Sequence, residues 1–121
     1  MLRTIAKQNP ELRRTLIDLR KAAQAHQAPV WAAVAERLVR ARHQVKPVNV
    51  GHLERLAEAK ATVVIPGKLL AEGRLTKSLT VAAFHSSVAA RLKVHAAGGT
   101  VVTIRDLVKS HPDGSGVRLL G

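Results

Sequence analysis

Four cations, Arg37, Arg40, Arg42 and Lys46, fall within ten residues that hold no carboxylate, and His43 sits inside the run. A guanidinium can fork onto a phosphate or a base edge, while a lysine ammonium acts as a point charge. Like charges this close repel one another unless a counter-ion is present, so the chemistry open to this run is the holding of a polyanion. A second basic group, Lys68 and Lys77, brackets Glu72-Gly73-Arg74, and Arg91, Lys93 and Arg118 extend the set toward the end of the chain. These ten residues are the candidate contacts to nucleic-acid phosphate.

Other chemistries lack their residues. Pro66-Gly67-Lys68-Leu69 follows an apolar run, as a nucleotide-binding phosphate loop would, but that pattern needs a glycine where Thr62 stands and Ser or Thr where Leu69 stands. The six histidines (His26, His43, His52, His85, His95 and His111) have no metal-ligand spacing, and the chain has no cysteine. His85-Ser86 are neighbours, yet adjacency in sequence does not aim a base at a nucleophile. The eight carboxylates fall at helix starts and wet faces and leave no acid–base pair. The expectation is a protein with no catalytic residue, metal, cofactor or small-molecule substrate. Trp31 and Phe84 are the only aromatics, so a stacking platform for single strands is missing. What remains is a grip on the backbone of folded RNA or of a duplex.

These cations need elements to hold them. Asn9-Pro10-Glu11 reads as a helix start, with Asn as N-cap, Pro preset at the first helical position and Glu against the dipole. Leu12, Leu16, Leu19 and Ala23 then form an apolar stripe. Pro29 opens a second helix with Trp31, Val34, Ala35 and Leu38 inward, and the basic run is its exit. Asn49 caps a short third helix carrying Leu53, Leu56 and Ala57. The stretch from Thr62 to Phe84 organises the rest: Thr62–Ile65 and Thr80–Phe84 read as buried strands. Between them, Pro66-Gly67-Lys68 is expected as a turn with a cation at its tip, and Lys68 and Lys77 as solvent-borne cations pinned at both ends. Ser86 or Ser87 caps a helix with Val88, Leu92 and Ala96 inward and Arg91, Lys93 and His95 outward. Gly98-Gly99 ends it, Thr100-Val101-Val102 is a strand, Thr103–Asp106 is a capping box for a last helix, and Val117–Leu120 is an edge strand.

Helices first, then strands interleaved with helices, indicate an α/β fold with a helical N-terminal portion, organised as one domain over 1–121. Apolar residues make up 46% of the 121, enough for one core, though an alanine-rich one that buries little area per residue. Twenty Lys and Arg stand against eight Asp and Glu, a formal charge of +12, for which nucleic acid is the first partner and an anionic membrane the second. There is no apolar run of spanning length and no secretory signal, which predicts an intracellular protein without membrane insertion.

Asn9-Pro10, Trp31 at the head of the second helix, Val48-Asn49-Val50-Gly51, the whole segment Thr62–Phe84, Phe84-His85-Ser86-Ser87 and His111-Pro112-Asp113-Gly114-Ser115-Gly116-Val117-Arg118 together resemble one family. It is the L18e family of large-subunit ribosomal proteins, found in archaea and in longer form in eukaryotes, and related to bacterial L15. The resemblance spans almost the whole chain. It implies a structural, non-enzymatic binder of large-subunit ribosomal RNA in the cytoplasm, lying among neighbouring large-subunit ribosomal proteins. It also implies an irregular superhelix of strand and helix turns, and the short length suits an archaeal source. The family's basic helix exit falls on Arg37, Arg40, Arg42 and Lys46, and its pinned loop on Lys68 and Lys77. His43 and His111 depart from the Arg and Asn expected there. The competing reading is a free-standing nucleic-acid-binding or chromatin protein.

Overall fold

The computed structural model describes residues 9–44 and 47–120. Helices α1 (Pro10–Ala25) and α2 (Pro29–Gln44) come first, followed by β1 (Val48–Asn49), α3 (Val50–Leu56), β2 (Thr62–Leu70), β3 (Thr80–Ser86), α4 (Val88–Ala96), β4 (Thr100–Thr103), α5 (Ile104–Ser110) and β5 (Val117–Leu119). All strand pairings are parallel, in the order β1-β2-β3-β4. Both β5 and β1 lie against β2, β5 beside Thr62–Val64 and β1 beside Leu69–Leu70.

The apolar runs do what buried parallel strands require, covering both faces with alternating residues. Val64 and Ala82 join Leu12, Leu16, Leu19, Trp31, Val34, Leu38, Ile104 and Leu107 in one core, under α1, α2 and α5. Val63, Ile65, Val81 and Ala83 join Val50, Leu53, Ala90 and Val94 in the other, under α3 and α4. The sheet is thus sandwiched between two helical layers. Asn9 caps α1 through its side chain, Ser87 caps α4 and Thr103 caps α5, as the sequence indicates.

The anchor of the first layer is Trp31, fully buried, whose indole N–H is shared between the carbonyls of His111 (3.1 Å) and Pro112 (3.0 Å). Gly114 adopts φ +73° beside it, where a side chain would collide with Val30.

Five expectations are corrected. The strand does not stop at Ile65: it continues through Pro66-Gly67-Lys68 to Leu70, with an irregularity between Ile65 and Lys68, so Lys68 is in a strand and not at a turn tip. The link from β2 to β3 does not project into solvent. Because the two strands are parallel neighbours, residues 71–79 must run back along the sheet, and they do so without a helix, against α3 and α4. Lys77 is correspondingly half-buried, its ammonium donating 2.7 Å bonds to the carbonyls of Glu54 and Ala57 at the end of α3. Finally, α4 is rotated relative to the expected stripe: Ala90 and Val94 face the core, while Val88 and Leu92 are 63% and 64% exposed. Leu56 is likewise outward.

Glu54 fastens the same crossover, accepting from the Thr76 hydroxyl at 2.7 Å and from the Thr76 backbone N–H. The hydroxyl bond holds its carboxyl below the usual range. This contribution is present above the ordinary carboxylate pKa and fades as pH falls through the lowered value. An acid titration of stability should therefore be shallower in Glu54→Gln than in the parent. The two lysines should separate in urea unfolding. Lys77→Ala strands two helix-end carbonyls and should cost about 1–3 kcal/mol, whereas Lys68→Ala should stay within about 0.5 kcal/mol.

Candidate nucleic-acid interface

In an all-parallel sheet the carboxyl ends of the strands form one edge of the molecule, and ligands of open α/β folds gather there. Lys68 is in register with His85 at that edge, and both are exposed. Val48 pairs with Leu69, so the chain between Gln44 and Val48, four residues on, can reach no more than about 14 Å from this point. The last described residue of α2, Gln44, is therefore within that reach of the end of β2. A three-residue turn reverses the chain between α2 and α1, so the start of α1, with exposed Arg13 and Arg14, also lies at this end. Ser87 caps α4 here, and the first turn of that helix adds partial positive charge. Glu11, Glu72 and Asp106 are carboxylates at the same end.

The ten candidate residues do not share one surface. Arg37 is exposed on α2 and makes no hydrogen bond or ion pair among the described residues. Arg40 corrects the expectation of an unpaired run: one turn back along the helix, Glu36 meets its guanidinium at 2.6 Å, with both side chains about two-thirds exposed. Arg42 and His43 continue the α2 backbone, and Lys46 lies outside the described residues. Lys77 is spent on α3, and Lys93 donates to the carbonyls of Ala71 (2.6 Å) and Gly73 (2.7 Å). Arg91 is exposed on α4, in the opposite helical layer from α2. Arg118 is paired in register with Val63, roughly 15 Å down β2 from Lys68.

The sequence reading set Arg13 and Arg14 on the outer face of the first helix and His85 among surface or contact histidines, without naming any of the three as an RNA contact. His85 packs edge-on against Phe84 with ring centres 4.5 Å apart, which fixes an imidazole at the strand end. Its position one residue before the Ser-Ser cap was the available signal, since a strand running directly into a helix ends at the carboxyl edge. Arg13 and Arg14 were recognisable as off-stripe residues, but only the layer arrangement brings them to this end. No group of three or more His, Cys, Asp or Glu side chains able to hold a metal occurs among the described residues. No helix among them is long and apolar enough to cross a membrane.

Comparison with known proteins decides the family. The family described as "Ribosomal protein 60S L18 and 50S L18e" matches residues 3–121. The chain belongs to this L18/L18e family. It is 48% identical to the large ribosomal subunit protein eL18 of Methanopyrus kandleri, over 93% of this chain and 92% of that one. It is 49% identical to the eL18 of Pyrobaculum aerophilum, over 93% and 92%, and 40% identical to that of Haloarcula marismortui, over 96% and 99%.

The geometry sorts the cations into those that are available and those that are committed, and a heparin column reads the difference. Arg37→Ala and Lys68→Ala should each lower the salt concentration needed for elution. Glu36→Gln should raise it by freeing Arg40. Lys77→Met, whose cation is already bound to helix-end carbonyls, should leave it unchanged when the folded fraction is loaded.

Proposed function

We propose that this L18e-family chain is a structural constituent of the large ribosomal subunit in the cytoplasm. It would bind folded ribosomal RNA through phosphate contacts and lie beside neighbouring large-subunit proteins. What supports the reading is the exposed pair Lys68 and His85 at the carboxyl edge of the sheet, within a chain that matches its family from residue 3 onward. Arg37, Arg42, His43, Lys46 and Lys68 form the main contact set, with Arg13 and Arg14 beside them. Arg40 joins once RNA competes with Glu36. Arg91 and Arg118 would meet phosphate only where RNA wraps to the opposite layer or the lower half of the sheet. Lys77 and Lys93 support the interface from within the fold.

The role is binding, not catalysis. Phosphate contacts release counter-ions, so affinity falls steeply with salt, with a slope set by the number of phosphates neutralised. The fold fixes the backbone positions of these cations, while each exposed side chain still loses rotamer freedom when it settles on a phosphate.

Co-sedimentation with large subunits after a high-salt wash tests the assignment, and loss of the protein into the supernatant with generic nucleic acid would favour the free-standing alternative. Against a ribosomal RNA fragment, Arg37→Ala with Lys68→Ala should reduce the salt slope by about two units. An unchanged slope would show that these cations face only water. Saturating fragment should also raise the melting temperature, since a ligand at a hundredfold its dissociation constant adds about 2.7 kcal/mol.

A further inference from the structure

The outer face of α4 is built the wrong way round for a helix that only has to cover a sheet. Its small residue, Ala90, is fully buried, and Val94 is its one large inward side chain. Leu92 and Val88, one turn apart on the outer side, are left 64% and 63% exposed, with Ala89 and Ala96 exposed beside them. Rolling the helix would bury Leu92, yet its position is locked from three sides. Lys93 is clamped to the carbonyls of Ala71 and Gly73. Ser87 holds the first turn, and Gly99, just past the last, sits so close to Leu79 that any side chain would overlap the Leu79 backbone. The outward Leu92 is therefore imposed by the fold. In the same helical layer Leu56 of α3 is 54% exposed.

The charges on α4 itself have one sign, while the nearest carboxylates, Glu58 beyond Leu56 and Glu72 between the two carbonyls that hold Lys93, lie on neighbouring segments. α4 contains no Asp or Glu, and its outward polar residues are Arg91 and His95, with Arg55 next to Leu56. Aliphatic side chains offer RNA neither a hydrogen bond nor a stacking surface, so they gain little against phosphate or ribose. They do match a protein segment that supplies apolar side chains for Val88 and Leu92 and carboxylates for Arg91 and His95.

We propose that the outer face of α4 docks an acidic, amphipathic segment of a neighbouring protein, opposite the helical layer that carries the basic α2 exit. The surface rests on the reading of the chain as a large-subunit protein, and it adds the chemistry of one partner and the side from which it approaches. With Leu92 and Val88 as anchors and Arg91 as the charged rim, the molecule would be held between RNA at one layer and protein at the other.

The test places a photo-reactive phenylalanine analogue at position 92, with position 109 on α5 as the comparison. Large subunits assembled with each variant are irradiated, and the cross-linked products are mapped by mass spectrometry. The expected result is a cross-link from position 92, and not from position 109, to one protein peptide bearing both apolar and acidic residues. Arg91→Glu in the same background should reduce its yield at least tenfold. Cross-linking to ribosomal RNA, to a basic peptide, or to nothing from subunits that contain the variant would overturn the docking surface while leaving the ribosomal assignment standing. Failure of the position-109 variant to enter large subunits would remove the assignment and the docking surface together. Val88→Lys in the position-92 background should melt as its parent does in free solution and lose the cross-linked neighbour, which separates docking from folding.

Discussion

Joining two adjacent parallel strands with only nine residues is the constraint from which most of this molecule follows. A parallel pair needs its chain carried back along the sheet, normally by a dozen or more residues that include a helix. Residues 71–79 are too few for that, so they return without a helix of their own, and their backbone groups must find partners elsewhere. They do so one by one. The Glu72 amide meets the Asn49 side chain and its carbonyl meets the Gly51 amide. Ala71 and Gly73 carbonyls take Lys93, the Thr76 amide takes Glu54, the Ser78 carbonyl takes Lys60, and the Leu79 carbonyl takes Thr100.

That accounting explains residues that otherwise look arbitrary. Gly51 and Gly73 are present because the crossover touches the first turn of α3 so closely that a side chain on Gly73 would stand 2.6 Å from the Gly51 Cα. Asn49 is the N-cap of α3, as the sequence indicates: its amide donates to His52 Nδ1 at 3.1 Å, and its side-chain oxygen also accepts from the Glu72 amide of the crossover. Lysine suits this task where arginine would not. Its compact ammonium can enter between two carbonyls, while its stem covers apolar surface. Leu75 and Leu79 contribute the apolar half, packing into the core under α3 and α4.

Local signals were therefore legible wherever the chain's own neighbours decide the outcome. The caps Asn9, Ser87 and Thr103, the stripes of α1 and α2, and the β-branched runs at Thr62 and Thr80 all fold as their patterns indicate, because capping and periodicity act over a few residues. The family resemblance carried by the segment from Thr62 to Phe84 was legible for the same reason: it is the densest cluster of structural necessities in the chain. What the sequence could not display was direction. Two apolar runs separated by Pro-Gly and Gly read equally well as a pair with an outward loop or as parallel neighbours with an inward one, and only the second turns Lys77 into a clamp. The roll of α4 was hidden likewise. Periodicity favours Val88 and Leu92 as the buried pair, and the opposing tie from Lys93 runs to residues twenty positions away. The short reach from Gln44 to the end of β2 depends on a two-residue strand, β1, too short to carry a pattern.

The same accounting changes the meaning of the net charge. A formal +12 suggests a surface of interchangeable cations, but the structure divides them by what each already does. Lys77 and Lys93 neutralise carbonyl dipoles, and Arg105 bridges α5 to Asp18 of α1 at 2.6 Å. Such groups are held by the fold and repel the rest of the charge at short range, yet they cannot be released to a partner without opening the crossover or separating the helices. Among the uncommitted ones, Arg37, Lys68, Arg13 and Arg14 lie in or near the α1–α2 layer and the carboxyl edge, where a polyanion can approach without disturbing any internal bond. Self-repulsion and binding are then the same electrostatic fact seen without and with the partner. Because the committed cations fix the crossover and the crossover fixes the two strands, the backbone of Lys68 is held at a defined strand end. A phosphate that relieves this repulsion in the folded chain stabilises the fold by linkage.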